Sequence, residues 1–155
     1  MYYIDIKKCR EDVQLPTKGS EEAAGWDLYA WSYEDYINPG QDWTVVIPPG
    51  GKLKVKTGLM VSLPVGTFAG IYARSGLAAK KGLAPANKVG IIDSDYRGEI
   101  MVVLYNQSSV PQTIKKGERI AQMIIQKYVD NIWVETDTLD ETERGEGGFG
   151  STGNQ

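Results

Sequence analysis

Apolar residues along this chain recur mostly at every second position, the period of a β-strand with one buried face. Leu53, Val55 and Thr57 alternate with Lys52, Lys54 and Lys56, which predicts a half-buried strand. Thr44, Val45, Val46 and Ile47 form a strand before it, divided from it by the turn Pro48-Pro49-Gly50-Gly51. The stretch 58–63 reads as another strand, stopped by Pro64 and Gly66, and 67–73, 100–105 and 120–128 read likewise. Gly90-Ile91-Ile92 is an apolar strand that runs into a charged tight turn. One stretch is helical in pattern, Ser75 to Lys81, with Gly82 placed to end it. The expected fold is all-β, a jelly-roll-like barrel or sandwich with one short helix.

Composition narrows the chemistry. The 155 residues contain no histidine and one cysteine, Cys9. Sites of the Ser-His-Asp or Cys-His kind are therefore excluded, as are zinc sites built from Cys and His. Acid–base work falls to carboxylates, lysine, tyrosine or the termini. The 18 glycines imply many turns and close backbone approaches. No apolar run reaches the roughly 20 residues of a membrane helix. The opening residues have neither the basic end nor the apolar block of a secretory signal, so a cytoplasmic setting is expected, a host's cytoplasm if the chain is viral.

Net charge is −3, unevenly placed. The stretch 43–92 has no acid and carries Lys52, Lys54, Lys56, Arg74, Lys80, Lys81 and Lys88. Such a field draws in a small polyanion, while the overall acidity argues against a duplex nucleic acid. Acids gather from Glu135 onward and give way to glycine, so the chain divides into a β domain, 1–135, and a mobile C-terminal arm, 136–155.

Five short segments carry candidate chemistry. In the arm, Gly145, Gly147 and Gly150 fit a G-x-G-x-x-G spacing, but only five residues follow and no helix can. The same stretch holds Arg144, Phe149, Ser151 and Thr152, groups able to wrap a phosphate and a base. Arg74-Ser75-Gly76 opens the helix, either as an anion grip or as an ordinary Ser75 N-cap beside a surface arginine. Asp93 to Glu99 is a turn rich in Asp, Ser and Gly, or a carboxylate held beside the Tyr96 ring at a pocket edge. Asp27, in Ala24-Gly25-Trp26-Asp27-Leu28, and Gln122, in Arg119-Ile120-Ala121-Gln122, are uninformative singly.

Taken in order, these segments resemble the five motifs of the trimeric dUTP diphosphatases (dUTPases). The counterparts are 23–28, 74–82, 90–98, 117–122 and 144–153, so the likeness spans nearly the whole chain. The resemblance implies a jelly-roll subunit, a homotrimer with shared sites and an arm that closes over nucleotide. It implies hydrolysis of dUTP to dUMP and pyrophosphate, with Asp93 orienting and deprotonating water for attack at the α-phosphorus. That removes dUTP before uracil enters DNA and supplies dUMP. Arg74, Ser75, Gly76 and Gln122 would hold the α- and β-phosphates, Arg144, Ser151 and Thr152 would close on the γ-phosphate, and Gly150 of the same arm would bind substrate. Asn87, Gly90 and Ile92 would read uracil, Tyr96 would exclude a 2′-hydroxyl, and Phe149 would stack on the base. Mg²⁺ would bridge the triphosphate oxygens, with Asp27 near its water shell.

Two rivals share parts of this reading. A dCTP deaminase has the same architecture but needs a catalytic glutamate. A nucleotide-gated binding protein would use the segment 31–43, which holds Trp31, Tyr33, Tyr36 and Trp43 and is longer than expected for the resemblance. That segment is expected to be a hairpin packed on its own subunit or a neighbour, or else an exposed partner surface.

Overall fold

The computed structural model describes residues 3–38 and 40–148. In chain order the elements are β1 (Asp5–Lys8), β2 (Thr17–Lys18), β3 (Trp26–Tyr29), β4 (Ser32–Tyr33), β5 (Thr44–Ile47), β6 (Lys52–Lys56) and β7 (Leu59–Ser62). They continue with β8 (Thr67–Tyr72), α1 (Ser75–Lys81), β9 (Leu83–Pro85), β10 (Gly90–Ile92), β11 (Met101–Asn106), β12 (Gln112–Lys115) and β13 (Arg119–Lys127). A five-stranded sheet runs β10-β8-β13-β3-β2, and a four-stranded sheet runs β4-β6-β11-β9. Two further ribbons pair β1 with β7 and β12 with β5. Every pairing is antiparallel. No helix among the described residues is long and apolar enough to cross a membrane.

The strands form where the sequence alternates. On β11, Val102 and Leu104 are buried while Met101 is exposed. They meet Leu28, Val55, Ala69, Ile71 and Ile120 from the other strands in one apolar core. Asn106 ends the same inward row and is fully buried. Its amide donates to the carbonyls of Ile47 and Val110 at 2.9 Å each, and its oxygen accepts from the Ser108 N–H and hydroxyl. Its polar atoms are thus paired, as burial requires.

Helix α1 begins and ends at the expected residues. Gly82 closes it in the left-handed region, φ 63°, with its N–H donating to the Ala78 carbonyl at 2.9 Å. Of the two readings of the helix start, the Ser75 cap is not formed. Arg74 occupies the N-cap in extended conformation, no side chain caps the helix, and Ser75 is its first helical residue. The strands β1, β2, β3, β4, β9 and β12, of two to four residues each, were not legible from the sequence.

The aromatic segment after β3 packs on its own subunit. Trp31 and Trp43 are buried, and the Trp43 indole N–H donates to the Trp31 carbonyl at 3.1 Å. Tyr33 stacks on Tyr36 with centroids 5.0 Å apart and meets Trp43 edge-on at 5.1 Å. The described segment is not a closed hairpin: β4 pairs with β6, placing Ser32 opposite Lys56 and Tyr33 opposite Val55. Tyr33 and Tyr36 are half-buried on this cluster, and Ile37 beyond them is exposed. Regular structure ends at Lys127, and 128–148 carry no helix or strand.

Candidate active site

Three strands of the larger sheet bring the first group of site residues together. Asp27 on β3 lies opposite Gln122 on β13, and Gln122 lies opposite Tyr72 on β8. Arg74 follows two residues beyond Tyr72. Asp27 is only 8% exposed. Its Oδ1 accepts from Arg74 Nε at 2.7 Å, and its Oδ2 accepts from Arg119 Nη1 at 3.1 Å and Arg74 Nη2 at 3.5 Å. A carboxylate this buried is tolerable because two guanidinia compensate it. Gln122 donates through Nε2 to the Ala73 carbonyl at 2.9 Å, which pins the strand just ahead of Arg74. A Cβ at Gly25 would stand 2.4 Å from Gln122 Oε1, so this close approach requires glycine. Ser75 and Gly76 are exposed, and a Cβ at Gly76 would meet nothing within 4 Å, leaving open space beside the Arg74 end of α1. The far end of α1 is tied down by Lys81, which donates to Glu118 and to the Thr113 carbonyl.

The second group sits on β10 and the turn after it. Gly90 pairs with Ile71 and Ile92 with Ala69. Asn87 is exposed on the turn before β10. A Cβ at Gly90 would come within 3.4 Å of the Asn87 amide nitrogen, so the two share one surface. Asp93 is exposed and lines an open concavity of about 550 Å³ with Phe68, Ile91, Ser94, Asp95 and Tyr128. Its turn is held by its own groups. The Tyr96 N–H donates to the Asp93 carbonyl at 3.2 Å. Arg97 Nη1 donates to the carbonyls of Ser94 and Tyr96 at 2.7 and 3.0 Å. The Tyr96 hydroxyl donates to the Glu99 carbonyl at 3.1 Å. Glu99 in turn accepts from the Gly58 N–H at 2.7 Å, anchoring the turn to the body.

Within one chain Asp93 and Arg74 lie toward opposite ends of β8, while Gly90, opposite Ile71, sits one residue from the level of Tyr72 and Gln122. Asp93 follows the residue opposite Ala69, whereas Arg74 lies past the other end of β8. About six residues of extended chain separate their levels, roughly 20 Å at a rise of 3.3 Å per residue. Arg144 belongs to neither group: its Nε donates to the Gly147 carbonyl at 2.9 Å within its own turn. Phe149, Gly150, Ser151 and Thr152 lie outside the described residues. Among the described residues no three Cys, Asp or Glu side chains gather as a metal-binding group. Arg97, Glu99 and Arg119 were not singled out from the sequence. The signal for Arg119 was its place in the segment that carries Gln122.

A family model described as dUTPase matches residues 11–153. The chain belongs to the dUTPase family. A deoxyuridine 5'-triphosphate nucleotidohydrolase of Desulfitobacterium hafniense is 49% identical over 153 residues, covering 97% of this chain and 95% of that protein. The enzyme of the same name from Saccharomyces cerevisiae is 47% identical over 141 residues, covering 90% and 87%. Among solved structures, a Staphylococcus bacteriophage 80alpha dUTPase with dUpNHpp matches in fold with a TM-score of 0.85. It is 24% identical and covers 99% of this chain and all of that one. Like its relatives, this dUTPase-family chain is an enzyme.

Proposed function

We propose that the enzyme hydrolyses dUTP to dUMP and pyrophosphate, with Asp93 directing water onto the α-phosphorus. The observation that carries this is the Asp93 turn: an exposed carboxylate on a self-clamped turn, at the edge of a concavity, one strand away from Asn87 and Gly90. A weak base such as aspartate contributes roughly 10²–10⁴-fold, so positioning and charge must supply most of the acceleration.

The residue groups divide the labour. Asn87, Gly90 and Ile92 read the uracil edge, Tyr96 packs against the deoxyribose and Phe149 stacks on the base. Arg74, Ser75, Gly76 and Gln122 hold the α- and β-phosphates, the arm's Arg144, Ser151 and Thr152 close on the γ-phosphate, and its Gly150 binds substrate. Mg²⁺ enters as part of the substrate, carried on the triphosphate oxygens, where it neutralises phosphate charge. The chain supplies no carboxylate cage for it among the described residues. Asp27, with both oxygens accepting from arginine, orients Arg74, and toward the metal it would act only through the water shell.

The placement of Asp93 and Arg74 toward opposite ends of β8 supports a homotrimer of jelly-roll subunits, in which one chain's nucleoside-reading turn meets another chain's phosphate grip and the arm covers both. The binding-protein reading is less favoured, because Trp31 and Trp43 of the aromatic segment are buried in their own subunit and Tyr33 packs on Tyr36 and Trp43. Pyrophosphate release measured in parallel with dUTP, dTTP, dCTP and UTP tests the proposal. Turnover of dUTP alone is expected. Similar rates with all four would sink it, and ammonia from dCTP would identify a deaminase.

A further inference from the structure

Arg119 has no part in the roles given so far. It stands three residues before Gln122 on β13, and strict alternation would turn it to the opposite face. The strand does not alternate there. Arg119 pairs with Tyr29 while Ala121 pairs with Leu28, so Ile120 is an extra residue, a β-bulge. Ile120 and Ala121 are consequently both fully buried, two inward residues in a row. Arg119 is brought onto the face of Tyr29, Asp27 and Gln122. Its Nη1 reaches Asp27 at 3.1 Å, and its carbonyl accepts from Arg74 Nη1 at 3.4 Å.

The charges explain what this achieves. Asp27 fixes the Arg74 guanidinium, but an arginine held by one carboxylate is a neutral pair and attracts a polyphosphate weakly. Two guanidinia on one carboxylate leave one net positive charge. We propose that Arg119 is a positioning and charge-setting residue of the phosphate grip: the bulge turns it onto Asp27, so that Asp27 can orient Arg74 without cancelling its charge. This rests on the reading of Arg74 as a triphosphate ligand. Arg119's side chain is 48% exposed against 24% for Arg74, so solvent screens it and the effect is moderate.

Binding of dUpNHpp and of dUMP to the full chain, titrated at several salt concentrations, tests this. Arg119→Gln is expected to raise the Kd for dUpNHpp about tenfold, equivalent to about 1.4 kcal/mol. It is expected to flatten the salt dependence and to change the Kd for dUMP less than twofold. Arg119→Lys, which keeps the charge, recovers most of the loss. In an Asp27→Asn background, where there is no charge to offset, the Arg119→Gln effect shrinks. Equal weakening of dUMP and dUpNHpp, or an unchanged salt dependence, would overturn the proposal and leave Arg119 a structural residue. Arg74→Gln separates the two levels. If it leaves dUpNHpp binding intact, the phosphate grip itself is misread; if it weakens binding while Arg119→Gln does not, only the role of Arg119 falls.

Discussion

Asp93 and Tyr96 share one turn, and the turn's own backbone holds both. Asp93→Asn keeps the size and position of the side chain but removes the base. Turnover should fall by at least about 10²-fold while dUpNHpp still binds, read by steady-state kinetics beside calorimetry. Full activity in that variant would remove Asp93 from its role. Gly98 acts on the neighbouring ring. A Cβ there would stand 2.3 Å from the Tyr96 hydroxyl. The ring is 39% exposed and can swing away. Gly98→Ala should therefore cost less than about 1 kcal/mol of stability, yet the preference for dUTP over UTP should drop roughly tenfold, within the range that one pocket contact controls. Unchanged discrimination would show that the Tyr96 ring does not guard the sugar.

At the scale of elements, legibility followed apolar pattern and turn boundaries. Strands β5, β6, β7, β8, β10, β11 and β13 were readable from apolar runs or alternation bounded by turn residues, and α1 because Gly82 marks its end. The bulge in β13 was not readable: Arg119-Ile120-Ala121-Gln122 looks like any apolar stretch until the register with Tyr29 and Leu28 is known. Asp27 stayed mute for the same reason, since its partners Arg74 and Arg119 arrive from other strands. Loops are tied together in similar ways. Asp12 accepts from the Trp31 indole and from Lys116, each at 3.2 Å, joining the loop after β1 to the aromatic segment and to the turn before β13. These bonds, the indole first and then Lys116, hold its carboxyl below its ordinary value of 3.8. A lowered folded-state pKa means the contribution is present above the ordinary value and is lost as pH falls through the lowered one. Asp12→Asn should lower stability near neutrality, and the gap from the parent should close on acidification below about pH 4, followed by urea unfolding. A gap that persists at low pH would show that the charge of Asp12 is not what matters.

At the scale of the whole molecule, regular structure is confined to one part of the described chain. The strands and core end by Lys127, and the described arm residues up to Gly148 are exposed or nearly so. Deleting residues from Arg144 onward should abolish most dUTP turnover while leaving the β-type circular-dichroism spectrum and its melting midpoint close to the parent's. A collapsed spectrum would mean that the arm is needed for folding. The expected fold class was legible because five motifs and the alternating strands span almost the entire chain. The placement of Asp93 and Arg74 toward opposite ends of β8 was not, because it depends on the register between β10 and β8.

That placement along β8 has a genetic consequence. If Asp93 and Arg74 serve the same nucleotide from different chains, two dead alleles can repair each other. Chains carrying Asp93→Asn and chains carrying Arg74→Gln, unfolded together in equal amounts and reassembled, would pair an intact base with an intact grip in about a quarter of sites under random trimer assembly. Each allele alone would stay silent. Complementation of that size between two inactive copies is the behaviour expected of a site that no single polypeptide owns.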